Sequence, residues 1–120
     1  MNRVALGITS VIILLLFVYY LTESGYFISH NGRNKLEVFA QCLSDKGIVM
    51  YGSKYCPHCN NQKALFGDAF KYINYVECTE NKQVCIEKGI MYVPAWIING
   101  EKYTGEMSLE RLSELSGCEL

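Results

Sequence analysis

Eighteen consecutive residues, Val4 to Leu21, carry no charge and run through Ile, Leu and Val to Phe17-Val18-Tyr19-Tyr20-Leu21. No polar face interrupts them, which argues against a buried core helix of the domain. As a helix they would extend about 27 Å at about 1.5 Å per residue, close to the hydrocarbon thickness of a bilayer. Residues 1–21 are therefore expected to be a transmembrane anchor, with the tyrosines at an interface, Arg3 on the cytoplasmic side and Glu23 beyond the far side. A cleaved signal peptide is the competing reading. Its apolar region is normally shorter and is followed by a small-x-small cleavage site, for which Leu21-Thr22-Glu23-Ser24-Gly25 is a poor match.

With the anchor set aside, a chain of 120 residues has room for one modest domain. That remainder holds ten basic residues (the chain's eleven less Arg3) against twelve acidic, a net charge of −2. Such a balance provides neither the basic footprint of a nucleic-acid binder nor a polybasic membrane patch. Six cysteines are too many for an ordinary reduced cytosolic protein of this length and imply either metal binding or an oxidising compartment. An outward-facing domain behind the anchor fits the second.

Residues 22–35 mix Gly, Ser, Asn and charge without period and read as a juxtamembrane linker, in which His30 is a solvated residue. The domain, residues 36–120, begins with Leu36, Phe39, Ala40 and Leu43 at helical spacing and a stop at Gly47. Ile48 to Tyr51 reads as a central strand, and the helix after it is expected to turn Ala64, Leu65, Phe66, Ala69 and Phe70 inward. Ile73 to Glu77 is a second strand, Lys82 to Lys88 a short helix ending at Gly89, and Ala95 to Ile98 a third strand. Asn99-Gly100 is a hairpin signal pairing that strand with Glu101 to Thr104. Ser108 caps a last helix that stops before Gly117. The order α-β-α-β-α-β-β-α describes an α/β domain, a small mixed sheet between helical layers.

Tyr55-Cys56-Pro57-His58-Cys59 falls between the first strand and its helix. Pro57 suits the first helical position because its missing N–H is not needed there. Cys56 then sits at the helix N-terminus, where unpaired N–H groups favour a thiolate, which makes it the candidate nucleophile. A charged His58 would add to that stabilisation. Cys59, one turn along, is placed to resolve the mixed disulfide. A structural disulfide, or half of a zinc site completed by Cys78 and Cys85, is the bland reading of the same pair.

These residues, with Val93-Pro94 before the third strand, resemble the thioredoxin-like superfamily. Within it, the chain looks like the thioredoxin-like domain of bacterial vitamin K epoxide reductase homologues. The narrower match is carried by Met50-Tyr51-Gly52, CPHC, Gln62 to Gly67, Tyr75-Val76-Glu77-Cys78 with Cys85, Pro94-Ala95-Trp96 and Ser108 to Gly117. The four-helix reductase part of those proteins has no counterpart here, where a single apolar block stands instead. The resemblance implies a three-layer thioredoxin-like sandwich and a redox role for the CPHC dithiol. It implies a cis peptide before Pro94 that leaves the Val93 backbone free to pair with substrate, with Tyr55 lining the same surface. It is also consistent with Cys78–Cys85 as a loop-closing structural disulfide. Cys42 and Cys118 are left over, and a bond between them is permitted but is not set by spacing. The superfamily's buried acid, six residues before the first cysteine, is replaced by Met50, so the second thiol needs water or another base. Val93 and Ala95 flank Pro94 where the superfamily commonly has Thr.

The expected function is a membrane-anchored, extracytoplasmic thiol–disulfide oxidoreductase without cofactor or metal. It oxidises cysteine pairs of exported proteins and is reoxidised by a membrane partner resembling vitamin K epoxide reductase. A reductase or isomerase fed by a membrane reductant, and a CxxC metallochaperone for a soft ion, are the alternatives.

Overall fold

The computed structural model describes residues 3–23 and 34–120. His30 and most of the expected linker lie outside them. The chain divides into two compact units, Met1–Gly32 and Arg33–Leu120.

The first unit contains helix α1 (Arg3–Glu23). Its described side chains are those of residues 8–20, and its apolar ones are between 48% and 69% exposed. Among the described residues no helix is long and apolar enough to cross a membrane.

The second unit runs α2 (Lys35–Asp45), β1 (Val49–Gly52), α3 (Pro57–Phe66), a 3₁₀ stretch (Gly67–Tyr72) and β2 (Asn74–Glu77). It continues with α4 (Lys82–Glu87), β3 (Ala95–Ile98), β4 (Glu101–Thr104) and α5 (Leu109–Ser116). The four strands form one sheet in the order β2-β1-β3-β4, with β1 parallel to β2 and antiparallel to β3. The β3–β4 hairpin closes on Ile98 opposite Glu101, and Asn99 and Gly100 both take positive φ, as a two-residue turn of this hand requires. Asn34 and Ser108 cap α2 and α5 by accepting Leu36 N–H at 2.6 Å and Arg111 N–H at 3.2 Å.

Alternation along β1 and β3 sorts the core into two clusters, one on each face. Met50, Trp96 and Ile98 join Phe39, Leu43, Cys59, Phe66 and Leu112, so α2, α3 and α5 feed the larger cluster. Tyr51 and Ala95 join Cys85 of α4 in the smaller one. This mixed α/β arrangement is compatible with a thioredoxin-like fold.

One packing expectation is corrected. Ala64 and Leu65 point outward, Leu65 being 44% exposed, while Cys59, Gln62 and Phe66 form the buried face of α3. The α-helix ends at Phe66, and the 3₁₀ stretch that follows changes the angular period. Ala69 is thereby brought inward without continuing the stripe through Ala64 and Leu65.

Candidate active site

Strand β1 ends at Gly52, and after three intervening residues the chain enters α3 through Cys56, which is its N-cap. The Cys56 sulfur accepts Cys59 N–H at 3.3 Å and lies 3.7 Å from the Val93 carbonyl oxygen, within reach of a thiol donor. Pro57 occupies the first helical turn. Cys56 is partly exposed, whereas Cys59 is fully buried and its sulfur accepts Ser53 N–H at 3.5 Å. Both are free thiols. Burial, then the hydrogen bond with Cys56, push the Cys59 thiol up to about 11, against smaller opposing effects of Ser53 N–H and Lys63. At neutral pH the reduced pair therefore holds a protonated thiol beneath a surface sulfur.

The peptide bond between Val93 and Pro94 is cis. Pro94 is buried and its carbonyl accepts Gly105 N–H at 2.7 Å. Tyr55, Met91 and Tyr92 are each more than 70% exposed. Around Cys56 the structure thus gathers Val93 and Pro94, and Tyr55 stands one residue before it with Lys54 Nζ 5.4 Å from its ring centre.

His58 is engaged from another direction. A Glu106 carboxylate oxygen accepts its Nδ1–H and, at 3.2 Å, Asn61 Nδ2–H. The His58 hydrogen bond, then that of Asn61, hold the Glu106 carboxyl below its ordinary value. Gln62 fixes the loop that carries Glu106, its amide accepting Met107 N–H at 2.7 Å and donating to Met107 O at 2.9 Å. Glu106 was missed from sequence, and no local pattern signals it, since it lies 48 residues from its partner. For Gln62 the sequence offers one clue, its place three residues after Cys59 on the same face of α3.

Cys78 is bonded to Cys85 and Cys42 to Cys118, with Cα separations of 5.8 Å and 5.9 Å. The two cysteines that a four-ligand site would add to CPHC are thus bonded to each other. Among the described residues no cluster of three or more His, Cys, Asp or Glu could hold a metal ion. Trp96 is core, and Met50 is fully buried at the place of the superfamily's acid.

No protein-family model matches the chain. It is 36% identical over 111 residues to thiol-disulfide oxidoreductase LTO1 of Arabidopsis thaliana, a match covering 85% of this chain and 28% of that protein. It is 34% identical over 80 residues to a thioredoxin of Methanocaldococcus jannaschii, covering 60% of this chain and 93% of the thioredoxin. The chain thus spans well under a third of the plant relative and nearly all of the archaeal one.

Proposed function

This chain belongs to the thioredoxin-like superfamily of protein thiol–disulfide oxidoreductases, and we propose that it donates disulfides to exported proteins from a membrane tether. The observation that carries the reading is the asymmetry of the pair, with Cys56 reachable at a helix N-terminus beside the Val93 carbonyl and Cys59 sealed beneath it. In the oxidised form a substrate thiolate attacks the Cys56 sulfur and Cys59 leaves with the electron pair of the broken S–S bond. The second substrate thiolate then attacks the first substrate cysteine's sulfur in the mixed disulfide, forming the product disulfide and releasing Cys56 with the electron pair of the broken bond. A membrane protein resembling the vitamin K epoxide reductase homologues then accepts the two electrons and restores the Cys56–Cys59 disulfide. Val93, Pro94 and Tyr55 form the surface on which an extended substrate lies.

The oxidised Cys42–Cys118 and Cys78–Cys85 pairs support an extracytoplasmic setting, where such bonds persist. Apolar side chains exposed along α1 support the tether, which raises the effective concentration of enzyme and partner at the bilayer. Alkaline carbonate extraction is expected to leave the chain in the membrane pellet. Recovery in the supernatant would refute tethering while leaving the redox chemistry intact.

The pairing of His58 with Glu106 favours a second reading, a reductase or isomerase. A carboxylate beside the imidazole offsets the positive charge that would stabilise a Cys56 thiolate, and a less stabilised thiolate makes a weaker oxidant. The reduction potential of the Cys56–Cys59 couple decides between them. About −120 to −180 mV is expected for the oxidant, and a value near −270 mV would establish the reductase reading instead. Glu106→Gln removes the negative charge beside the imidazole and should make the couple more oxidising, by roughly three- to tenfold in its exchange constant with glutathione. In a His58→Ala background the same substitution should change nothing.

A further inference from the structure

Gly52 ends β1 in a crowded place. A Cβ added there would stand 2.9 Å from Tyr75 Cε2, 3.0 Å from the Tyr75 hydroxyl oxygen and 3.4 Å from the Cys59 sulfur. Two atoms that close to a single point are separated by no more than the sum of the two distances, about 6.4 Å. Tyr75 is also the residue directly across the parallel pairing from Met50, at whose position the superfamily keeps its acid. Its hydroxyl donates to Glu77 Oε2 at 2.8 Å, and the other Glu77 oxygen accepts Thr79 Oγ1–H at 2.6 Å and Thr79 N–H at 3.3 Å. A hydrogen-bonded chain therefore runs from beside the buried sulfur to a partly exposed carboxylate.

We propose that Tyr75 and Glu77 are the proton path of Cys59, replacing from β2 the acid that β1 lacks. As Cys59 attacks the mixed disulfide on Cys56, its sulfur electron pair forms the new S–S bond. The Cys56–substrate bond breaks, and its electron pair leaves on the substrate sulfur. The Cys59 proton passes to the Tyr75 hydroxyl, directly on closer approach or through one water, while the hydroxyl gives its own proton to Glu77, which returns it to solvent. In the oxidising direction the same path runs backward and protonates the departing Cys59. Burial, then Glu77, hold the tyrosine above its ordinary value, so it stays protonated and releases a proton only as it takes one. Burial raises the Glu77 carboxyl, but donors from Thr79 and Tyr75 outweigh it and keep the group low and ionised, ready to accept. The other ionisable groups acting on Cys59 are Cys56 and Lys63, the latter with Nζ 3.9 Å from the Tyr75 ring centre. A cationic amine cannot accept the proton.

The proposal rests on Cys56 being the nucleophile and Cys59 the resolving thiol. It is tested with the full reduced chain, mixed with excess oxidised glutathione, quenched in acid and followed by mass spectrometry. This separates adduct formation at Cys56 from its resolution by Cys59. At pH 7, Tyr75→Phe and Glu77→Gln should each slow resolution by roughly tenfold or more, the scale of positioned proton transfer, and leave adduct formation unchanged. The deficit should fade as pH rises toward about 11, where Cys59 ionises unaided. Resolution at the unmodified rate in both variants, or a deficit equal at every pH, overturns the path while leaving the roles of the cysteines standing. An adduct that forms on Cys59 overturns those roles and the path with them.

Discussion

Cys59→Ser should convert the protein from a catalyst into a trap. With Cys56 still able to attack and nothing beneath it to resolve, mixed disulfides to exported proteins should accumulate and be visible as reductant-sensitive, high-mass species on a non-reducing gel. Cys56→Ser should instead abolish exchange, lowering turnover by a factor on the order of 10³ or more, as expected when a covalent nucleophile is lost. It should trap nothing, because Cys59 is fully buried and holds its proton to about pH 11. The asymmetry is the test: equal trapping by the two variants would show that burial does not assign their roles. Because Cys59 packs in the larger core, each variant is to be matched for thermal unfolding before its traps are counted.

The second large effect concerns folding. Cys42 on α2 is bonded to Cys118 just past α5, across 76 positions of sequence. On the chain-entropy account, closing a loop of that length removes enough freedom from the unfolded ensemble to stabilise the native state by about 4.5 kcal/mol. Cys78–Cys85, across seven positions, should contribute only about 2.5 kcal/mol. A paired Cys42→Ala/Cys118→Ala replacement should therefore lower Tm by roughly 18–36 °C, since each kcal/mol shifts the midpoint of a domain this small by about 4–8 °C. Calorimetry of the oxidised proteins measures both. A larger fall for the short-loop pair than for the long one would contradict the entropic ordering.

The elements were readable because their signals are local. Glycines bracket the first strand, Asn99-Gly100 shapes its own turn, and Ser108 caps the helix that follows it, so neighbouring residues carry the information. The helix N-terminal placement of CPHC was readable for the same reason. What escaped depends on contacts made only after folding. The outward turn of Ala64 and Leu65 follows from a change of helical period at Gly67, which a single 3.6-residue stripe cannot anticipate. Glu106 reaches His58 from a loop 48 residues away. Tyr75 lies beside the buried thiol through parallel pairing with β1, and in sequence it looks like any strand aromatic. Met50 announced that the usual acid was missing, but only the strand register shows what stands next to the gap.

The Cys42–Cys118 bond also changes the topology of the domain, making the backbone between those residues a covalent ring. A protease that cuts once inside the ring opens it without releasing either piece, because the sulfur bridge still joins the ends. Separating the fragments takes a second break, in the peptide chain or in the bridge. Cys56, Cys59, Val93 and Pro94 all lie within the ring, so the reactive pair and the surface beside it stay linked through a first nick.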